Sequence, residues 1–129
     1  MEEKTRVFEA LLADAQQAAL EALDADQVIA LKTACGNTHI LKNKGVLNGE
    51  YGDEASFLKL LETAADTEIL YIVCLWKDGR FNVSVDVPSM HFRQGLLKLN
   101  PKNEAAEILL LGDFGYMAKK LIVTMPPKK

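Results

Sequence analysis

The chain has 129 residues, of which 49% are hydrophobic, and a formal net charge of −3 at pH 7. This length fits one domain with a core large enough to fold without disulfides or a structural metal. The acidic balance argues against a nucleic-acid-binding protein, and the longest apolar run, 69–76, is too short to cross a bilayer. Because no signal-peptide-like segment follows the acidic start, we expect a cytoplasmic protein in which Cys35 and Cys74 are reduced thiols.

The first third of the chain predicts helices. Residues 3–23 lack Gly and Pro, and their apolar side chains recur at spacings of three and four, which places these on one helix face: Phe8, Leu12, Ala15, Ala19 and Leu23. Asp24 and Gln27 resemble a capping box, so a second helix would run to Ala34; alternatively, one long helix continues through this segment. Gly36 is expected to end the helix in either case.

The middle of the chain predicts a strand, a loop and a further helix. Residues 38–41 favour a short strand, and Asn-Gly turn signals make 42–52 a loop or a small hairpin. The next helix is expected to start at Asp53 or Ser56 and to end near Ala65. It carries four apolar residues: Phe57, Leu58, Leu60 and Leu61.

The clearest local pattern is a β-hairpin. Residues 69–76 form an apolar, β-rich run, the Asp-Gly pair at 78–79 is typical of a two-residue turn, and residues 80–87 alternate between apolar and polar side chains. This turn predicts a register in which Cys74 lies opposite Val83 on a core face. The opposite side of the hairpin, here called the mixed face, combines apolar and polar residues: Tyr71, Val73 and Leu75 beside Asn82, Ser84 and Asp86.

The last third predicts one helix and two strands. Ser89 is expected to cap a helix that stops before Asn100. Residues 106–111 favour a buried strand. For residues 116–125 helix and strand both stay open, with strand preferred, and 126–129 form a frayed tail.

Together these elements predict an α+β fold. We expect a single domain over residues 1–129 with an antiparallel sheet of about four strands, an N-terminal helical segment and helices packed mainly on one face. No repeat, linker or low-complexity stretch indicates a second domain.

The Cys and His residues are the first candidates for chemistry. Cys35 and His39 are close enough in sequence for a thiolate–imidazolium pair. Because Cys35 follows a predicted helix, whose dipole raises a thiol pKa, we expect it instead to pack as a small hydrophobe, with His39 on the surface. Zinc held by these two residues with Cys74 and His91 is not expected, since the ligands lack the paired spacing of structural zinc sites. His91, near the start of the helix that Ser89 caps, is interpreted as a capping or surface residue.

The mixed face is the best candidate binding site, because it is too apolar for open water and too polar for a dry core. We therefore predict a non-catalytic interaction or regulatory module that self-associates, for example as a homodimer, or binds a protein through this face. The competing interpretation is that a helix of the same chain covers it. No nucleic acid, membrane or cofactor is expected as a partner, and the lack of a catalytic motif favours a non-enzyme.

The alternative is a small-molecule-binding protein or an enzyme without a recognisable motif. Its polar groups would come from the mixed face together with His91 or His39. This alternative stays open because active sites are assembled in space from residues that are distant in sequence.

Overall fold

The computed structural model describes residues 3–46, 49–77, 83–112 and 115–119. In these ranges the chain forms three α-helices, one short 3-10 helix and six strands. In chain order they are α1 (Glu3–Glu21), β1 (Gln27–Thr33), β2 (Thr38–Asn43), α2 (Gly52–Thr63), β3 (Ile69–Lys77), β4 (Val83–Val85), α3 (Met90–Leu99), the 3-10 helix (Pro101–Ala105), β5 (Glu107–Gly112) and β6 (Gly115–Lys119).

All six strands belong to one sheet. Five of them follow the order β2-β1-β3-β5-β6, and β4 pairs with β3 beside this path. The predicted α+β class is confirmed, but the sheet is mixed rather than antiparallel, because β5 runs parallel to β3. A parallel pair needs a crossover that returns the chain to the starting end of the sheet, and the segment containing α3 supplies it.

The helices cover both faces of the sheet, two on one side and one on the other. α2 and α3 pack on the face that carries Ile29 and Ile72 of the strands, with Phe57, Leu61, Phe92 and Leu96 supplying the helical part of that core. α1 packs on the opposite face, where Val28 and Val73 lie. The alternation of neighbouring residues between the two cores follows from the period of two along a strand.

The segment predicted as a second helix is instead β1, an interior strand of the sheet. It pairs with β2 on one side and with β3 on the other. Six of its seven residues are buried, because helices lie on both of its faces. A strand that is covered on both sides shows a continuous apolar run rather than alternation, and this is why its sequence also fitted a helix.

The predicted register of the hairpin is wrong. Leu75 lies opposite Val85 rather than Asn82, a shift of three residues, and Lys77 lies opposite Val83. The connection therefore spans residues 78–82, which include the predicted turn and lie outside the described residues. Since the shift is odd, Val85 changes face and packs against the core under α1.

The remaining predicted elements agree with the structure. The first predicted helix, the strand at 38–41 and the helix capped by Ser89 are all present, and Ser89 Oγ accepts a hydrogen bond from the backbone N–H of Phe92. β6 is a strand as preferred, up to Lys119; residues 120–129, including the predicted tail, lie outside the described part. Among the described residues no helix combines the length and apolar character that a bilayer span requires.

Candidate functional site

The amino ends of α2 and α3 meet at the edge of the sheet where β1 begins and β2 ends. Glu54, in the first turn of α2, and His91, in the first turn of α3, form the centre of this place. His91 Nδ1 lies 2.8 Å from Glu54 Oε1. We call this cluster, completed by Gln27, Asn43, Tyr51 and Ser89, the α2–α3 site.

The Glu54 carboxylate has no exposed surface and is held by three side chains, one from β2 and two from the start of α3. In addition to His91, Asn43 Nδ2 donates to Oε2 at 2.9 Å, and Ser89 Oγ donates to the same oxygen at 3.3 Å. Partial positive charge at a helix amino end also favours an anion in the first turn. A buried carboxylate is tolerated only when it is satisfied in this way.

Two fully buried amides extend the cluster under the sheet. Asn43 uses its second N–H to donate to Gln27 Oε1 at 3.0 Å. Asn43 Oδ1 and Gln27 Nε2 have no hydrogen-bond partner among the described residues. Because nearly all buried polar groups in proteins are paired, such atoms indicate a place for a water or a ligand.

His91 connects this buried cluster to solvent. Its side chain is 53% exposed, and its ring stacks on Tyr51, with the ring centroids 3.9 Å apart and the planes inclined by 15°. Because a carboxylate can only accept, His91 Nδ1 is the donor in its contact with Glu54, and Nε2 is the ring nitrogen that this contact leaves free. A histidine oriented by a buried carboxylate is the arrangement of a general base.

A second His–carboxylate pair lies at the other end of β1. His39 Nε2 is 2.8 Å from Asp66 Oδ2, and Asn37 Nδ2 donates to the same oxygen at 2.9 Å. Burial works against ionisation of Asp66, but hydrogen bonds from His39, Asn37, Thr33 and Cys35 outweigh it and hold the pKa of Asp66 below its ordinary value. His39 is only 19% exposed, in contrast to the predicted surface position.

Cys35 is not activated in this second cluster. The thiol is exposed, and its pKa is raised, chiefly by its hydrogen bond to Asp66 and by the charge of that carboxylate. The direction agrees with the sequence analysis, but the cause differs: Cys35 follows strand β1, so there is no helix dipole at this point. A thiol that stays protonated at neutral pH is a poor nucleophile.

The mixed face is not an open surface. Val73 and Leu75 are buried in the core under α1, and the Tyr71 ring meets the Phe8 ring edge to face at 5.1 Å. Ser84 and Asp86 are exposed, and Asn82 lies outside the described residues. A helix of the same chain covers the apolar half, which was the competing interpretation.

The four Cys and His residues considered for zinc do not converge. Cys35 and His39 lie at one end of β1, whereas His91 lies near the other end. Cys74 is fully buried in the core, and burial raises the pKa of its thiol. Within the described part of the chain no three His, Cys, Asp or Glu side chains are grouped to hold a metal ion.

Glu54 is the central residue that the sequence analysis missed, although the sequence carries a signal for it. With Phe57, Leu58 and Leu61 it follows the i, i+3, i+4, i+7 pattern, so a carboxylate stands on the apolar face of α2. An acidic residue in a first helical turn is ordinary, however, so this pattern alone does not single out Glu54. Gln27 and Asn43 had no such signal.

Comparison with known proteins adds a structural relative. No protein-family profile matches the chain, and no curated protein matches it. The crystal structure of cytidine deaminase from Mycobacterium leprae is similar, with a TM-score of 0.57 and 17% identity; the match covers 91% of this chain and 98% of that chain. At this level of identity the similarity establishes a shared fold.

The prediction of a non-catalytic module that binds proteins through the mixed face is therefore wrong. The chain shares its fold with an enzyme. The surface on which the prediction rested is not one open face, because α1 covers its apolar residues and the observed register places Ser84 opposite Trp76, on the other side of the sheet. The alternative, a small-molecule-binding protein or enzyme that uses His91, agrees better with both findings.

Proposed function

We propose that the chain binds a small heterocyclic molecule of the nucleobase or nucleoside class at the α2–α3 site, where Glu54 and His91 act as an acid–base pair. The observation that carries this proposal is the buried Glu54 carboxylate, which fixes a half-exposed imidazole at 2.8 Å. The cytidine deaminase that shares the fold supports the ligand class.

The chemistry of the site suits a planar ligand with polar edges. Tyr51 and His91 form an aromatic platform, and aromatic rings stack on nucleobases of every kind. His91 Nε2 accepts a hydrogen bond from a ring N–H or an amino group of the ligand.

Proton transfer follows from the same geometry. His91 Nε2 takes a proton from the ligand or from a water beside it, and the adjacent Glu54 carboxylate stabilises the imidazolium that results. Ser89 and Asn43 hold the carboxylate in place during this step. Glu54 needs no direct access to the ligand for this role.

The test is a binding screen with cytosine, cytidine and the other common nucleobases and nucleosides, by thermal shift and then by calorimetry. A ligand at a hundredfold excess over its Kd stabilises the folded state by about 2.7 kcal/mol. We expect at least one member to bind, and His91→Ala to weaken it about tenfold, since one lost hydrogen bond is worth about 1 kcal/mol or slightly more. Glu54→Gln keeps the shape but weakens binding in the same direction.

His39→Ala is the matched control, because His39 has the same 2.8 Å contact with a carboxylate at the other end of β1. Its affinity for the ligand should equal that of the wild type. Equal affinity of His91→Ala and wild type, or no binding of any compound in the screen, would contradict the proposal.

Other expectations from the sequence stay predictions. These are the cytoplasmic location, the single-domain organisation, and self-association or a protein partner, which would now need a surface other than the mixed face. The expectation that the chain binds neither nucleic acid nor membranes also stays a prediction.

A further inference from the structure

Zinc-dependent base deaminases use a recognisable set of ligands. A His or Cys stands two residues before a glutamate that is the general acid/base, and a Pro-Cys-x-x-Cys segment supplies two further ligands. Here Glu54 lies in the first turn of α2 and Pro88 precedes α3, and these two helix starts meet through the hydrogen bonds of Glu54. The same spacing therefore selects Gly52, Ser89 and Phe92 as the ligand positions.

None of these three residues fits zinc. Gly52 has no side chain, although a Cβ there would meet no atom within 4 Å, so there is space without a ligand. Ser89 caps α3 and donates to Glu54, so its hydroxyl is already occupied. Phe92 has no donor atom and is fully buried against Phe57.

Other side chains satisfy Glu54 instead. His91, in the first turn of α3, contacts one carboxylate oxygen of Glu54, while Asn43 and Ser89 donate to the other. No group of three metal-ligating side chains exists in the described ranges. The glutamate is thus present with a hydrogen-bonded environment where a zinc deaminase has a metal.

We infer that the α2–α3 site works without zinc, as a deaminase fold in which the His91–Glu54 pair, rather than a metal-bound water, handles protons. The second half of this statement rests on the proposed function. The first half does not, and it is tested without any ligand.

The first experiment measures metal directly. The full chain is produced in zinc-supplemented medium with an affinity tag that contains no histidine, and zinc is quantified by mass spectrometry after gel filtration. We expect no stoichiometric zinc and the same Tm with and without a chelator. One zinc per chain, with a lower Tm after chelation, would overturn the inference, whether or not any ligand binds.

The second experiment rebuilds the ligands. Gly52→His, Ser89→Cys and Phe92→Cys are combined in a Cys35→Ser background, which removes the exposed thiol, and Co²⁺ is added as a spectroscopic probe. We expect thiolate–cobalt absorption at one equivalent, absent from the Cys35→Ser control. A variant that folds by circular dichroism but binds no cobalt would show that the three positions do not surround one point. If it does not fold, the zinc measurement on the unmodified chain decides.

Discussion

Two buried carboxylates, Glu54 and Asp66, each contact a histidine at 2.8 Å, yet they differ in what the histidine can reach. His91 is 53% exposed, whereas His39 is 19% exposed. Asp66 also accepts a hydrogen bond from the side chain of Asn37. Its hydrogen bonds therefore join the β1–β2 turn to the segment before β3. The Asp66 cluster thus has the features of a structural anchor, and the Glu54 cluster those of a binding site.

This role of Asp66 predicts a pH-dependent contribution to stability. Because hydrogen bonds lower its folded-state pKa, the contribution is complete above the ordinary aspartate pKa of about 3.9 and is lost as the pH falls below it. Asp66→Asn should therefore lower the free energy of unfolding at pH 7 by about 1–3 kcal/mol. The difference from wild type should shrink below about pH 4.

Urea denaturation between pH 7 and pH 3 measures both parts. Asp14→Asn is the control, because Asp14 is an exposed helix residue whose change should stay within about 0.5 kcal/mol at every pH. A difference between Asp66→Asn and wild type that stays constant down to pH 3 would contradict the prediction.

At the scale of elements, the sequence predicts secondary structure best where one face of an element is buried and the other is exposed to solvent. α1 and α3 show helical spacing because each has one apolar side, and Ser89 adds a cap. β1 has no solvent-exposed side, so its hydrophobic pattern does not distinguish a strand from a helix. Ala30 and Leu31 also favour a helix. The predicted hairpin register is wrong although a turn motif and an all-apolar pairing of the two strands both support it, because the observed pairing instead packs Val85 under α1.

The contact between α1 and the sheet predicts a contrast within one helix. Leu11 is 2% exposed in the core under α1, and Leu20 is 64% exposed. Leu11→Ala should lower the free energy of unfolding by about 2–5 kcal/mol, since it removes buried methyl groups and leaves a cavity. Leu20→Ala should stay within about 0.5 kcal/mol of wild type. Equal, small effects in chemical denaturation would mean that α1 does not cover Val73 and Leu75.

At the scale of the whole molecule, the α2–α3 site was predictable only in part. The sequence predicts His91 as a possible ligand-binding residue, because a histidine at a helix start is visible in the sequence. Gln27, Asn43 and Glu54 come together only because β1 begins beside the end of β2 and α2 packs over that edge. Which of these residues become neighbours depends on the order of the strands in the sheet, and a single sequence does not reveal that order.

The same strand order separates the two His–carboxylate pairs. β1 has seven residues, so its ends, Gln27 and Thr33, lie about 20 Å apart at the usual rise of a strand. No residue contributes hydrogen bonds to both clusters within the described ranges. Substitutions at sites this distant, without shared partners, are expected to be additive to within about 0.5 kcal/mol.

We therefore expect the His39→Ala, His91→Ala double variant to lose stability by the sum of the two single losses, measured by urea denaturation at pH 7. The control is the pair His91→Ala and Glu54→Gln, which share one hydrogen bond and should depart from additivity by more than about 0.5 kcal/mol. Strong coupling between His39 and His91 would mean that β1 transmits changes from one end of the sheet to the other. In that case the His39 cluster would be part of the α2–α3 site's function rather than an independent anchor.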